Sequence, residues 1–247
     1  MRLALYADIH GNREAFDACL EHAGKQRVDG HCVLGDLVGY GADAQYVADR
    51  VARLIEDGGF ALKGNHDEAA SLGQTSGMNQ YAKAAIEWTH ANIDKATREL
   101  LAGLPFEKDE GDYLFVHADA SSPPDWRYVT DQASAEQSLR ATRKRATFCG
   151  HVHVPQLWHM APGKSATYYQ PQTNIAVPLA GARQWLGVLG STGQPRDKNP
   201  AAAWALLDTD LREITYFRTP YDIEKTAAKI HAAGLPQILA ARLFIGR

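Results

Sequence analysis

The segment LALYADIHG, residues 3–11, sets the pattern from which the fold of this chain is predicted. Its apolar run over residues 3–7 predicts a buried β-strand that ends just before Asp8 and His10. Residues 13–26 follow with apolar side chains at helical spacing, so the strand leads directly into a helix. The same alternation is then repeated, and it predicts parallel strands joined by right-handed crossover helices.

Two further strand predictions continue this alternation, over residues 32–34 and 60–62, with a helix between them. Beyond Pro155 strand-like runs predominate, and this half is predicted to be an antiparallel meander followed by a terminal helix. No linker rich in proline or glycine divides the chain. We therefore expect one two-sheet α/β domain over residues 1–247, in which residues 73–103 are a candidate helical insertion or lid.

Composition limits the classes of function. The 247 residues carry a formal net charge of −3 with both signs mixed along the chain, so no extended nucleic-acid surface is predicted. The three cysteines, Cys19, Cys32 and Cys149, form no C-x-x-C pair, which favours a reducing compartment. The first apolar run is too short for a signal peptide, and no stretch reaches the ~20 apolar residues of a membrane helix. We expect a cytoplasmic protein without a membrane partner.

Side chains that can bind metal follow five of the predicted strands. Because the carboxyl ends of strands in an open α/β sheet meet at one edge, these groups are expected to converge. Aspartate, histidine and asparagine without a thiolate suit Mn, Fe, Zn or Ni better than a structural zinc site. The candidate ligands are Asp8, His10, Asp36, Asn65, His117, His151 and His153.

The spacing of these groups favours two ions. Asp8 and His10 are two residues apart, as are His151 and His153, so each pair can reach one place from a turn or strand end. A single Asp36 is placed to bridge two ions about 3.5–4 Å apart, an arrangement that clamps the attacking and leaving oxygens of an in-line displacement. Water between two such ions loses its proton near neutral pH. The pattern therefore predicts attack of an activated water on a phosphorus centre.

Five motifs extend this prediction, because their order resembles the five signature blocks of the calcineurin-like metallophosphoesterase superfamily. They are DIHGN (8–12), GDLVGYG (35–41), GNHD (64–67), VHAD (116–119) and GHVHVP (150–155). A later segment, GSTGQPRDKNP (190–200), is similar to one in the YfcE-like branch of small bacterial and archaeal phosphodiesterases. The resemblance implies a four-layer α/β/β/α sandwich of two mixed sheets flanked by helices.

The resemblance also implies a role for each site residue. It implies that one metal is held by Asp8, His10 and His153, a second by Asn65, His117 and His151, and that Asp36 bridges them. It implies that His66 binds no metal and instead protonates or stabilises the leaving oxygen, and that Asp67 orients His66.

Two other residues have competing interpretations. Asn12 is either the N-cap of the first predicted helix or a contact to a substrate phosphate near that helix's N-terminus. Arg196 is either a clamp on a substrate oxygen, for which its planar guanidinium is suited, or a solvated loop residue. Tyr40 and Tyr81 are interpreted as packing residues rather than as the wall of a base pocket.

The substrate prediction rests on departures from related patterns. The second block reads Val38-Gly39-Tyr40-Gly41 where protein phosphatases and symmetric dinucleoside tetraphosphate hydrolases of the superfamily carry an Arg-Gly ending. A diester has one charge less than a monoester and needs fewer cationic clamps, so the loss favours phosphodiesters, including nucleotide-like ones, with some action on small phosphomonoesters. A dinucleoside polyphosphate hydrolase is the alternative. A non-catalytic protein-binding scaffold is less favoured, because all seven candidate ligands and His66 are retained.

Overall fold

The computed structural model describes residues 1–247 and contains twelve strands and eight α-helices. The strands are β1 (Arg2–Tyr6), β2 (Gly30–Val33), β3 (Phe60–Ala61), β4 (Glu107–Glu110), β5 (Tyr113–Val116), β6 (Ala146–Cys149), β7 (Gln156–Met160), β8 (Thr167–Tyr169), β9 (Ala176–Pro178), β10 (Gln184–Val188), β11 (Ala202–Asp208) and β12 (Glu213–Thr219). The helices are α1 (Arg13–Lys25), α2 (Ala44–Glu56), α3 (Asn65–Leu72), α4 (Gln80–Asn92), α5 (Lys95–Gly103), α6 (Gln132–Arg140), α7 (Ile223–Ala232) and α8 (Gln237–Ile245).

The strands form two six-stranded sheets of mixed direction. The first has the order β3-β2-β1-β11-β12-β9, and the second has the order β4-β5-β6-β10-β7-β8. β1, β2 and β3 run parallel, as the strand–helix alternation predicts, and β5, β6 and β10 run parallel in the second sheet. Parallel neighbours present their carboxyl ends at one edge, and this edge of each sheet carries the predicted site residues.

Three apolar layers hold these sheets and helices together. Leu5 and Phe148 pack between the two sheets. Phe16 of α1 and Trp204 of β11 pack on the outer face of the first sheet. Leu139 of α6 packs on the outer face of the second. Helix, sheet, sheet and helix therefore form the predicted four-layer α/β/β/α sandwich, and this prediction is confirmed.

The prediction of an antiparallel meander after Pro155 is wrong. β10 runs parallel to β6 and lies between β6 and β7, while β11 joins the first sheet beside β1. β11 is buried at all seven positions, with Trp204 facing the helical layer and Ala205 facing the second sheet. A strand covered on both faces suits the centre of a sheet. The apolar pattern of the sequence indicates that β11 is buried on both faces, but it does not indicate which strand pairs with β11.

Residues 73–103 share the main core. Their loop leads into α4 and α5, which are separated by Ile93 and Asp94. Asp94 caps α5 by accepting a hydrogen bond from the Thr97 N–H at 2.7 Å. Ile86 and Leu101 belong to the same apolar cluster as Phe16 of α1. A lid role for this segment stays a prediction. The longest helices have 13 residues, and none of the eight combines the length and apolar character needed to cross a bilayer.

Candidate metal centre

The seven candidate ligands lie at one edge of the two sheets, and we call them together the metal centre. Asp8 and His10 follow β1, Asp36 follows β2, His117 follows β5, and His151 and His153 follow β6. Asn65 is the first residue of α3, directly after β3. The six aspartates and histidines are almost completely buried, with at most 5% of their surface exposed. Segments separated by more than 140 residues therefore meet at one place, as predicted.

Two clusters within the metal centre share Asp36 as their common neighbour. Asp8, His10 and His153 form one cluster, and Asp36, His117 and His151 form the other, with ligand atoms no more than 4.8 Å apart in each. The Oδ2 atom of Asp36 lies 3.6 Å from Nε2 of His10 and 3.5 Å from Nε2 of His117. One carboxylate oxygen thus faces both clusters, which is the position the sequence predicts for a bridging group.

Each of the four histidines has one ring nitrogen bonded to a backbone carbonyl. A carbonyl only accepts, so that nitrogen must donate, and in the neutral ring the other nitrogen is left as an acceptor. Such bonds fix the tautomer and orientation of metal-binding imidazoles. The pairs are His10 Nδ1 with Val38 O at 3.1 Å, His117 Nδ1 with Leu34 O at 2.7 Å, His153 Nδ1 with Gln194 O at 2.7 Å, and His151 Nε2 with Trp126 O at 3.0 Å.

The acceptor nitrogens face each other in two pairs. Nε2 of His10 lies 3.1 Å from Nε2 of His153, and Nε2 of His117 lies 3.2 Å from Nδ1 of His151. Two lone pairs at this distance repel unless a cation, either a proton or a metal ion, is shared between them. Each cluster contains one such pair, so the donor set fits two cations.

Asn65 lines the same cleft as His151 of the second cluster. Its Oδ1 atom is buried and has no hydrogen-bond partner, which is costly for an amide oxygen unless an ion or another donor is present. The next residue, His66, donates its backbone N–H to Oδ1 of Asp36 at 2.9 Å, so the start of α3 is fixed against the bridging carboxylate. The unsatisfied oxygen therefore fits the predicted metal ligand.

The backbone is strained at five of the seven candidate ligands. The φ angles are 54° for Asp8, 50° for His10, 54° for Asp36, 66° for His151 and 62° for His153. Non-glycine residues seldom adopt this left-handed region, at a cost of order 1–3 kcal/mol each, and such residues concentrate at functional sites. The surrounding hydrogen bonds hold the ligands in place despite this cost.

Two motif glycines allow the carboxylates to lie against the backbone. A Cβ atom added at Gly150 would be 2.5 Å from Oδ2 of Asp8, and one added at Gly64 would clash with Oδ1 of Asp36. With glycine at position 150, the N–H of His151 donates to both carboxylate oxygens of Asp8, at 3.1 and 2.9 Å. Gly150 before His151 and Gly64 before Asn65 are therefore packing requirements of the site.

The role that the resemblance implies for Asp67 needs correction. Its carboxylate accepts hydrogen bonds from the backbone N–H groups of Leu37, Val38 and Gly64, at 2.9, 3.2 and 3.0 Å. It forms no hydrogen bond to the His66 ring, whose buried Nδ1 has no partner. Asp67 therefore positions the loop after Asp36 and the start of α3, and it affects His66 only through the backbone.

Asn12 is the N-cap of α1, which is the first of its two interpretations. Its Oδ1 accepts from the N–H of Ala15 at 3.1 Å and from the hydroxyl of Thr226 at 3.2 Å, and its Nδ2 donates to Gly193 O at 2.8 Å. The side chain is only 2% exposed and both of its polar atoms are used inside the protein. The prediction that it binds substrate has no support in this geometry.

Arg196 lies beside the metal centre. Its backbone N–H donates to His153 O at 3.1 Å, its Nη2 donates to Gln194 Oε1 at 3.0 Å, and its guanidinium lies 5.7 Å from the ring centre of Tyr40. The Nε atom is buried without a partner. After burial, the Arg196 charge is the next cause that lowers the pKa of His153. The guanidinium is thus close enough to influence the site electrostatically.

Sequence reasoning missed a pair of aromatic residues at this site. Trp126, in the left-handed region with a φ of 54°, supplies the carbonyl that fixes His151. The ring of Tyr128 stacks on the ring of His151 with centroids 4.0 Å apart and remains 54% exposed. The available signal was an aromatic pair in a polar, proline-rich loop shortly after the VHAD motif.

The buried charges of the metal-free centre depend on pH. Burial raises the pKa of Asp8 to about 8. Burial opposes protonation of His117, but the adjacent Asp36 carboxylate outweighs it and raises the pKa of His117 to about 9. Burial lowers the pKa of His151 to about 3, and the charge of His117 adds to this effect. Without metal, a proton on His117 therefore balances Asp36.

These shifts predict how the stability of the metal-free protein varies with pH. The pKa values of Asp8 and His117 in the folded protein both lie above their ordinary values. The stability contributed by protonated Asp8 is therefore lost between about pH 4 and pH 8, and the stability contributed by protonated His117 is lost between about pH 6.5 and pH 9. We expect the Tm of chelator-treated protein to fall from pH 6.5 to 9. Added Mn²⁺ should raise Tm more at pH 9, since fewer protons compete for the ligands. Differential scanning fluorimetry checks this; a Tm that rises with pH without metal would contradict it.

A four-layer α/β sandwich with a buried carboxylate, histidine and amide cluster at the strand ends defines a metal-dependent phosphoester hydrolase. Residues 1–158 match the family model described as calcineurin-like phosphoesterase. The chain is 31% identical over 256 residues to the uncharacterized protein MJ0912 of Methanocaldococcus jannaschii, covering 99% of this chain and 98% of that protein. The chain belongs to the calcineurin-like phosphoesterase family.

Solved structures agree with this assignment. The crystal structure of a metallophosphoesterase from Sphaerobacter thermophilus is 30% identical, with a TM-score of 0.87 and full coverage of both chains. The structure of protein PH1004 from Pyrococcus horikoshii is 18% identical, with a TM-score of 0.81, covering all of this chain and 98% of that one, and it shows the shared fold.

Proposed function

We propose that this protein hydrolyses phosphodiesters, including nucleotide-like ones, and small aryl phosphomonoesters, with two divalent ions in the metal centre. The observation that carries the proposal is the pair of facing acceptor contacts, His10 with His153 and His117 with His151, on either side of Asp36. Two transition metal ions such as Mn, Fe, Zn or Ni, when bound, supply Lewis acidity that stabilises charge on phosphoryl oxygens and lowers the pKa of water.

The chain's own residues divide the work of holding these ions. Asp8, His10 and His153 would hold one ion, and Asn65, His117 and His151 the other, while Asp36 faces both. His66 lies against this arrangement, its ring centroid 4.8 Å from that of His10. Burial lowers the pKa of His66, so the ring is neutral near pH 7 and offers one N–H to a departing oxygen. We assign His66 the role of hydrogen-bond donor or acid for the leaving group.

Arg196 would bind a non-bridging phosphoryl oxygen, and its position beside His153 supports this role. A charge-assisted hydrogen bond of this kind is strong, and a dianionic monoester gains more from it than a diester monoanion. We expect Arg196→Gln to lower kcat/KM about tenfold for bis-p-nitrophenyl phosphate and further for p-nitrophenyl phosphate. The control is Arg53→Gln, on the exposed face of α2, which removes the same charge elsewhere. Equal rates for both variants would remove Arg196 from substrate binding.

A cleft of about 520 Å³ adjoins the metal centre and fits the organic part of a substrate. Asn65 and His151 of the metal centre line the cleft, together with Trp126 and Tyr128. Its remaining lining residues are Glu68, Ala69, Leu72, Gln74, Ser76, Gly77 and Met78. Because the volume suits a small organic ligand and the Tyr128 ring is open to solvent, the cleft supports an aryl or nucleoside group stacked beside His151.

Stacking on Tyr128 leads to a specific prediction. Tyr128→Ala should raise KM about tenfold for a p-nitrophenyl ester of thymidine 5′-phosphate, since base–aromatic stacking contributes ~1–3 kcal/mol. It should change KM little for methyl p-nitrophenyl phosphate, and Tyr128→Phe should resemble the unmodified protein on both substrates. Metal content measured in parallel shows that the centre is intact. A uniform change on both substrates would assign Tyr128 to support of His151 alone.

A substrate panel tests the proposal and its alternatives. Protein loaded with Mn²⁺ or Ni²⁺ is expected to cleave bis-p-nitrophenyl phosphate faster than diadenosine tetraphosphate. The reverse order would favour a dinucleoside polyphosphate hydrolase. Full metal occupancy without turnover of any ester would contradict the proposal and favour the scaffold alternative.

A further inference from the structure

A cavity outside the metal centre lies at the other end of the second sheet. It has a volume of about 670 Å³ and is bordered by Arg145 before β6, Gln184 at the start of β10, and Met160 at the end of β7. β6 and β10 run parallel, and their opposite ends lead to the metal centre. The four strand steps from Arg145 to Cys149 alone span about 13 Å, so a small ligand in this cavity cannot touch the metal ligands.

The lining of this cavity, which we call the basic cavity, is strongly cationic. Its cationic side chains are Arg140, Arg143, Lys144, Arg145 and Arg183, and its single anionic one is Asp112. The protein as a whole has a formal net charge of −3, so this concentration of positive charge is local. A concave surface with charge of one sign raises the local concentration of ligands of opposite charge.

Three of the five cations have carboxylate partners. Lys144 lies 2.5 Å from Asp109, Arg145 lies 3.0 Å from Asp112, and Arg140 lies 3.2 Å from Glu136. These contacts hold the three side chains on the cavity wall.

The other two cations, Arg143 and Arg183, have no carboxylate within 4.0 Å. Arg183 instead lies 3.3 Å from Nε2 of His159, whose pKa is lowered by burial and then by the Arg183 charge. A guanidinium beside a neutral imidazole keeps its full charge. Two uncompensated guanidinium groups therefore border one cavity, where each can offer a planar fork of donors to phosphate oxygens.

The rest of the lining decides the class of ligand. No aromatic side chain borders the basic cavity, and Met160 is its one large apolar residue. No aromatic ring there can stack a nucleobase, in contrast to the cleft beside Tyr128. The volume lies in the range of small-molecule sites. We propose that the basic cavity is a second ligand site, separate from the metal centre, that binds a small hydrophilic anion carrying two or more phosphoryl groups.

Calorimetric titration of the full chain with inorganic tripolyphosphate at 150 mM salt tests this site. We expect saturable binding at the basic cavity, and we expect Arg143→Gln/Arg183→Gln to weaken it about 100-fold, because two charge-assisted contacts are lost. Arg53→Gln serves as the charge-matched control and should bind like the unmodified protein. Asp36→Asn, which disables the metal centre, should also retain this binding, so that the result is independent of the proposed catalysis.

Two outcomes would overturn the inference. Binding that survives in Arg143→Gln/Arg183→Gln but disappears in Asp36→Asn would assign all tripolyphosphate binding to the metal centre. A titration that fails to saturate, or that Arg53→Gln weakens as much as the double variant, would show attraction to general surface charge. Thermal unfolding of each variant verifies that the chain is folded before it is titrated.

Discussion

Asp36→Asn is expected to reduce bound metal from two equivalents to less than one and to lower kcat/KM by on the order of 10³ or more. Asp36 is buried, and although burial alone would raise its pKa, the charge on His117 is the main cause that holds it well below the ordinary value. The substitution removes the single negative charge that faces both clusters. Asparagine can still accept the hydrogen bond from the His66 N–H, so the start of α3 keeps its anchor.

Asp119→Asn is the matched control for this variant. Asp119 belongs to the VHAD motif and is buried, but its Oδ1 accepts from the N–H of Ser121 at 3.0 Å and it belongs to neither ligand cluster. We expect it to retain metal and activity. Metal analysis by mass spectrometry and steady-state kinetics on bis-p-nitrophenyl phosphate distinguish the variants. Full metal content and near-normal kcat/KM in Asp36→Asn would show that the carboxylate is not a bridge.

The second large effect is expected for His66→Ala. Removing a group that protonates or stabilises the leaving oxygen lowers turnover by ~10² or more, and we expect the loss in kcat while both metal equivalents remain. The loss should grow as the leaving group becomes poorer, because an alkoxide needs a proton more than p-nitrophenolate does. A series of diesters with leaving groups of increasing pKa measures this dependence.

His231→Ala, on the exposed side of α7, is the control for removal of a histidine. A metal content that falls with activity in His66→Ala would make His66 a ligand, since its ring also lies near His10 and Asp36. A loss that is the same for every leaving group would exclude proton donation and leave only a packing or positioning role.

Much of the site could be predicted because its metal-binding side chains directly follow the ends of strands. Asp8, Asp36 and His117 each follow a short apolar run, and parallel strands bring such ends to one edge. Residue type and order were therefore enough to nominate the metal ligands. The same logic predicted the parallel strands β1, β2 and β3 of the first sheet, which are joined by helices in right-handed crossovers.

Pairing between distant strands could not be predicted in this way. The burial of β11 on both faces was visible in its composition, but its place beside β1, more than 190 residues away, depends on the whole fold. α3 was missed because Gly64 and Asn65 signal a turn, and the helix begins within the motif itself. Asp67 binds backbone groups that become neighbours only after folding, so its role could not be read from sequence.

Anomalous diffraction from crystals grown with Mn²⁺ tests most directly whether this edge of the sheets is a cage for two cations. We expect two peaks about 3.5–4 Å apart. One should lie among Asp8, His10 and His153 and the other among Asn65, His117 and His151, with Asp36 contacting both. A single peak, or two peaks that His117 and the 151/153 pair do not contact, would contradict the account.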